Sequence, residues 1–281
     1  MGWFEERGGL AGTVALITGG AGGLGEAVVT DLAANGVRVA VIDIDADATT
    51  SLRRSLDERG HEAVLHHGDA RDPDTLTALF TAVDERWGRL DTLVNLVGGT
   101  FRAPFTDTTP NGWDALLRTN LLHVFHSCQL ALPRMRGSGR GGSIINVTTI
   151  EAHRAAPGFA VYSAAKAAVT QFARSLSVEV AADGIRVNNV APDYAPTPNM
   201  VRYLGGDGSD GPGVRVAIPM GRAGLATDVS GCVVFLASGL SAYVTGTTLH
   251  PDGGTFAASG WLHWPGTGWS SQPPPDVVGS I

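Results

Sequence analysis

At 281 residues, with 43% hydrophobic and 17% charged side chains, the chain has the length of one large α/β domain or two small ones and the balance of a folded globular protein. A net charge of -7 with no basic cluster to override it excludes a general attraction to nucleic acid or to an anionic membrane surface. Cys128 and Cys232 each lie in an apolar stretch, which excludes a disulfide framework, and no metal-ligand spacing is present.

The first residues lack the apolar stretch of a secretory signal and no run reaches membrane-spanning length, so a cytoplasmic protein is expected. The β-branched run 13–17 predicts a strand, followed by Thr18-Gly-Gly-Ala-Gly-Gly-Leu-Gly25 and an amphipathic helix over 26–35. Strand, glycine turn and helix in that order let a pyrophosphate sit at the positive helix end. Asn35-Gly36 closes the helix, and 37–42 predicts a second buried parallel strand ending at Asp43. A carboxylate there accepts hydrogen bonds from an adenosine ribose and repels a 2′-phosphate. With no Lys or Arg in the glycine turn and Ile44 next in sequence, this points to NAD over NADP. The other reading of Asp43 is a helix N-cap shared with Asp45 and Asp47.

A helix over 47–59 and a third strand over 63–66 lead to Asp69 and Ala70, expected to flank the adenine. Pro73 starts a helix running to Trp87, and 90–97 predicts a fourth strand closed by Gly98-Gly99. The stripe Trp113, Leu117, Leu121, Val124, Cys128 and Leu132 predicts one long helix over 111–135, with Asn120 on its apolar face. A buried amide must be paired, so Asn120 is either a satisfied core residue or part of a polar relay.

Strand 143–149, a helix over 159–181 carrying Tyr162 and Lys166, strand 185–191, a helix over 228–238 and strand 247–250 complete the alternation. The Gly/Pro-rich loop 193–219, holding Met200, Tyr203 and Leu204, is too long to be idle. Seven strands alternating with helices predict a single-domain, doubly wound parallel sheet over 1–254, with ligand at the strands' carboxyl ends.

Tyr162 and Lys166 are four apart, so a phenol and an ammonium share one helix face. Ionising tyrosine at neutral pH needs a shift of about 3 units, or about 4 kcal/mol. One cation about 4 Å away at an effective dielectric of about 20 supplies that much, which makes the pair a candidate general acid/base.

With the glycine turn, Asp43, the Tyr162-x-x-x-Lys166 pair and the closing Pro251-Asp-Gly-Gly254 in order, residues from about 10 to 254 resemble the short-chain dehydrogenase/reductase family in its NAD-preferring branch. The resemblance implies a sheet of seven parallel strands, NAD(H), and hydride exchange between a secondary alcohol and a ketone by a homotetramer paired through helices 111–135 and 159–181. It implies that Thr18, Gly19, Gly23, Leu24 and Gly25 form the cofactor turn, and that Asn95 and Gly98 carry over from the motif after the fourth strand. It further implies that Tyr162 acts as acid/base, that Lys166 also holds the nicotinamide ribose, that Asn120 relays protons through water, and that Pro192 and Thr197 meet the carboxamide.

Thr149, thirteen residues before Tyr162, stands where the family has serine, keeping the hydroxyl and adding a methyl. Leu96-Val97 replaces Asn-Ala, and Asp193 replaces the glycine after Pro192; Asp193 is expected to tolerate unusual backbone angles and to favour the oxidised nicotinamide by its charge. Thr149 and Leu96 keep open an NAD(H)-binding sensor without turnover, and Asp43 weighs against reduction of acyl-carrier thioesters. The extension 255–281 carries Trp261, Trp264, Trp269 and a proline run, which predicts either docking over the substrate loop or a subunit interface, or a disordered tail.

Overall fold

The computed structural model describes residues 2–197 and 211–278, so Met200, Tyr203 and Leu204 lie outside the described residues. Strands β1 (Val14–Thr18), β2 (Arg38–Asp43), β3 (Ala63–His67), β4 (Thr92–Asn95), β5 (Gly142–Val147), β6 (Ile185–Val190) and β7 (Thr248–Leu249) form one parallel sheet in the order β3-β2-β1-β4-β5-β6-β7. The order reverses between β1 and β4, and in open α/β sheets the ligand crevice lies at such a point, outside the strands' carboxyl ends.

Successive side chains of a strand face opposite ways, and both faces are covered. Val14 and Leu16 of β1 and Ala40 and Ile42 of β2 pack under one helical layer: α4 (Pro73–Trp87), α6 (His123–Ser138) and α7 (Ala160–Glu179). Ala15, Ile17, Val39 and Val41 pack under the other, made of α2 (Leu24–Ala34), α3 (Ala46–Glu58) and the helix Ala226–Ala237. Asp45 caps α3 by accepting the Ala48 N–H at 2.9 Å, so the N-cap duty is not that of Asp43.

Four features depart from the expected elements, the first being a helix, Pro212–Ala217, inside the expected loop 193–219. The predicted helix 111–135 is α5 (Pro110–Leu117), a π-helical turn Arg118–Leu122, and α6. A short N-terminal helix, Trp3–Gly8, carries no apolar stripe, leaving Trp3 and Phe4 exposed, and so gave no periodic signal. Beyond β7, the extension forms the helix Thr255–Ala258 and an antiparallel hairpin, Leu262–Trp264 with Gly268–Ser270. Trp261 and Trp269 remain half exposed, so the tryptophans are only partly withdrawn from water. Among the described residues, no helix is long and apolar enough to cross a membrane.

Candidate active site

The crevice is lined first by the glycine turn. Gly19 and Gly23 adopt φ of 71° and 56°, the left-handed region that disfavours side chains, and a Cβ on Gly25 would collide with the Gly19 carbonyl. Gly20, not singled out from sequence, is as constrained: its Cβ would lie 2.8 Å from Val41 and 3.0 Å from Val29. No side chain caps α2 at Gly23, so the positive end of the helix faces the turn, a cradle suited to a pyrophosphate. Asp43 Oδ2 accepts the Ala21 N–H at 2.9 Å and Oδ1 the Asp45 N–H at 3.0 Å, which fixes the carboxylate against the turn. Leu24 starts α2, and the Thr197 side chain lies over Gly23, 3.1 Å from where a Cβ would stand. These residues fit a dinucleotide.

The second wall holds the acid/base candidates. Thr149 ends the segment after β5 and caps a turn of 3₁₀ helix by accepting the Glu151 N–H at 3.2 Å. Its hydroxyl also lies near enough to the Tyr162 phenol to lower that group's pKa. Burial pushes that phenol up to about 12, Thr149 pulls it down, and the charge of Glu151 pushes it further up. Lys166, buried, donates to the Val147 carbonyl at 3.0 Å, and burial lowers its amine to about 8. The Lys166 ammonium is turned to a backbone carbonyl, and desolvation is the largest influence on both groups in the chain alone.

Asn120 is fully buried in the π-helical turn. Its amide donates to the Leu116 carbonyl at 3.0 Å and to the Gly99 carbonyl at 2.8 Å, and its oxygen accepts the Gly99 N–H at 3.2 Å. Widening the helix frees the Leu116 carbonyl, and the side chain takes it. A Cβ at Gly98 would lie 3.1 Å from Lys166 Nζ and 3.2 Å from Asn120 Oδ1, so the absent side chain is what lets these two groups face one space. One turn on, sequence reasoning missed His123. Its ring is buried without a well-formed hydrogen bond; burial and the Lys166 charge lower it to about 3, and the weak upward pull of the Arg118 backbone does not offset them. A histidine on an apolar helix, with His126 three residues on and no acidic neighbour in sequence, carried no signal.

Other expected cofactor residues are otherwise engaged. Asn95 lies at 1% exposure beneath the site: its amide donates to Asn146 Oδ1 at 2.9 Å, and Ser127 donates to its oxygen at 2.6 Å. Asn146 donates to Asn189 at 3.2 Å and Asn189 to Thr248 at 3.3 Å, a buried amide ladder across four strands in register. Asn95 is thus a brace of the sheet, a role that only strand register reveals. The Thr18 hydroxyl accepts from Leu96 N at 3.1 Å, tying β1 to the segment after β4. Asp69 is held by Arg71 at 2.7 Å, which keeps its carboxyl below the usual range, with its side chain still 35% exposed, and Ala70 is buried in the core cluster. Pro192 accepts the Ile150 N–H at 3.1 Å, joining the segment after β6 to the Thr149 turn. Asp193 does not adopt a positive φ, contrary to expectation, and its carboxylate is paired with Arg154 at 3.5 Å instead of standing free.

Beside this wall is a cleft of about 390 Å³ bounded by Arg154, Asp193, Val214, Ile218, Trp261 and Leu262. Arg154 also binds Glu151 at 2.8 Å. Among the described residues, no group of three or more His, Cys, Asp or Glu is placed to hold a metal ion.

A family model described as enoyl-(acyl carrier protein) reductase matches residues 19–255. A tropinone reductase homolog of Arabidopsis thaliana is 36% identical over 251 residues, covering 89% of this chain and 92% of its own. The D-threitol dehydrogenase of Mycolicibacterium smegmatis is 34% identical over 248 residues, covering 87% and 93%. Among solved structures, a gluconate 5-dehydrogenase from Burkholderia cenocepacia in complex with NADP and tartrate superposes with a TM-score of 0.81 at 33% identity, covering 88% of this chain and 96% of that one. Matched nearly end to end in sequence and in fold, this chain belongs to the short-chain dehydrogenase/reductase family of oxidoreductases.

Proposed function

We propose that the protein is a cytoplasmic, NAD-dependent dehydrogenase/reductase that interconverts a secondary alcohol and a ketone. The observation carrying this reading is the Tyr162 phenol near the Thr149 hydroxyl, on the same wall as a buried Lys166. Bound nicotinamide supplies the acceptor or donor of hydride. The chain's own residues do the rest. Tyr162 donates its proton to the carbonyl oxygen in reduction and takes a proton from the hydroxyl in oxidation. The Thr149 hydroxyl holds the same oxygen and sets its distance from the phenol. Lys166, when charged, favours the phenolate left after proton transfer, and Asn120 with Gly98 keeps a polar path beside it.

Gly19, Gly23, Leu24 and Gly25 would hold the pyrophosphate, with Thr197 alongside, and Asp43 the adenosine ribose. The gluconate 5-dehydrogenase relative holds NADP, so membership of the family does not choose between the nucleotides. Supporting NAD are the acid at the end of β2 and the absence of Lys or Arg from residues 18–25 and at Ile44. A homotetramer paired through α5–α6 and α7 is part of this reading, supported by half-exposed Phe125 packed on Phe172 at 4.6 Å; light scattering giving a monomer at micromolar concentration would end it.

Tyr162→Phe should lower kcat by at least about a thousandfold while NADH binds with unchanged affinity, since the phenol acts on substrate. Retention of most activity overturns the assignment. Wild-type protein that binds NADH and turns over no alcohol or ketone would favour a nucleotide-binding sensor.

A further inference from the structure

The cleft beside the acid/base pair has one wall that lies almost wholly outside the family match, which ends at residue 255. Thr255, Ala258, Gly260, Trp261 and Leu262 all border it. They are held there by a built junction. The Asp252 carboxylate, 8% exposed, accepts the Gly254 and Phe256 N–H groups at 2.8 Å each. The Phe256 ring stacks on His250 at 4.9 Å with an interplanar angle of 12°. Ser259 and Gly260 then take φ of 49° and 93°, reversing the chain, and the Trp261 N–H bonds back to the Ala258 carbonyl at 2.9 Å. Left-handed backbone at a serine is uncommon and costs energy, so this reversal is imposed by the packing around it.

Two of its lining residues, Asp193 and Arg154, connect the cleft to the acid/base wall. Asp193 follows Pro192, whose carbonyl is bonded to Ile150 next to Thr149, and Glu151, partner of Arg154, lies close enough to Tyr162 to raise its pKa. Arg154 is the sole cation among the described lining residues, and two carboxylates already share it, Glu151 at 2.8 Å and Asp193 at 3.5 Å. Among the described lining residues an anionic substrate therefore finds no unpaired positive charge. The volume of about 390 Å³ is at the small end for ligand pockets, and the remaining lining is mostly apolar.

We propose that the C-terminal extension completes the substrate pocket and that Trp261 determines specificity, restricting the enzyme to compact, non-anionic ketones and alcohols of about one ring and excluding carboxylates and carrier-tethered acyl chains. This rests on the oxidoreductase reading above. The experiment measures kcat/KM of the full chain with NADH on cyclohexanone, its charged analogue 4-oxocyclohexanecarboxylate, a steroid ketone, and an N-acetylcysteamine thioester of 3-oxobutyrate. Cyclohexanone should exceed the steroid by about a hundredfold and the carboxylate by about tenfold. Trp261→Ala should raise kcat/KM on the steroid about tenfold and raise KM for cyclohexanone several-fold with kcat nearly kept, while Trp261→Phe restores the wild-type order. NADH affinity should not move. A steroid-to-cyclohexanone ratio unchanged in Trp261→Ala, or a carboxylate accepted as well as cyclohexanone, overturns the proposal. If no compound turns over, the oxidoreductase reading fails by itself, and the pocket is read from cyclohexanone binding to the NADH complex by fluorescence. Weakening of that binding in Trp261→Ala upholds the wall, and no change sinks it.

Discussion

The two sides of the crevice are built by different means. Towards β1, β2 and β3, the glycine turn, Asp43 and α2 are close in sequence and locked mainly by backbone contacts, Gly19 N–H to the Ile42 carbonyl at 2.7 Å and Gly68 N–H to the Asp43 carbonyl at 2.8 Å, with one side-chain bond, Ala21 N–H to the Asp43 carboxylate. Towards β5, β6 and β7, the site is assembled from Thr149, Tyr162, Asp193 and the extension, which meet through side chains drawn from well over a hundred residues of chain. A shape held by backbone geometry tolerates little change and suits a ligand common to many enzymes. A shape held by side chains and a terminal extension can be altered without disturbing the sheet, and suits the part that differs between substrates.

That division can be broken on one side at a time. The largest effect is expected from the double change Asp43→Ala with Ile44→Arg, which removes the repulsion of a 2′-phosphate and adds a cation; the NAD/NADP ratio of kcat/KM should swing by about a thousandfold or more, with substrate KM little altered. A wild-type preference for NADP would sink the argument at once. Next, Thr149→Ala should lower kcat about a hundredfold by removing the donor to the substrate oxygen, leaving NADH affinity intact, whereas Thr149→Ser stays active. Harmless loss of the hydroxyl would mean that Thr149 does not hold the substrate.

The smallest effect concerns stability and belongs to the floor shared by both sides. His123 is lowered to about 3 in the folded protein, while an unfolded histidine titrates near ~6.5. Between those values the unfolded chain binds the extra proton, so stability falls as pH drops below about 6.5 and the loss levels off near 3. At pH 5 the cost is about 2 kcal/mol, and His123→Leu should remove that part of the acid slope, read as midpoint shifts in urea at pH 7 and pH 5. Equal slopes in the two proteins would show that His123 is protonated in the fold or lies nearer to water.

Sequence by itself determined the parts whose physics is local. The period-2 and period-3.6 patterns marked the seven strands of the sheet and its flanking helices, the glycines of residues 19–25 marked a turn whose backbone admits no Cβ, and Asp43 at a strand end placed an acid beside it. The four-residue spacing of Tyr162 and Lys166 likewise put them on one helix face. Tertiary structure decided what those groups became. Whether Tyr162 is held neutral depends on burial and on Glu151, which no spacing encodes. Asn95 became a brace because register sets it opposite Asn146 and, beyond it, Asn189. Asn120 joined the site through a π-helical turn that its own side chain satisfies. The extension reached the cleft because a buried Asp252 and a left-handed Ser259 turn the chain back to it, and desolvation and chain reversal are properties of the packed molecule alone.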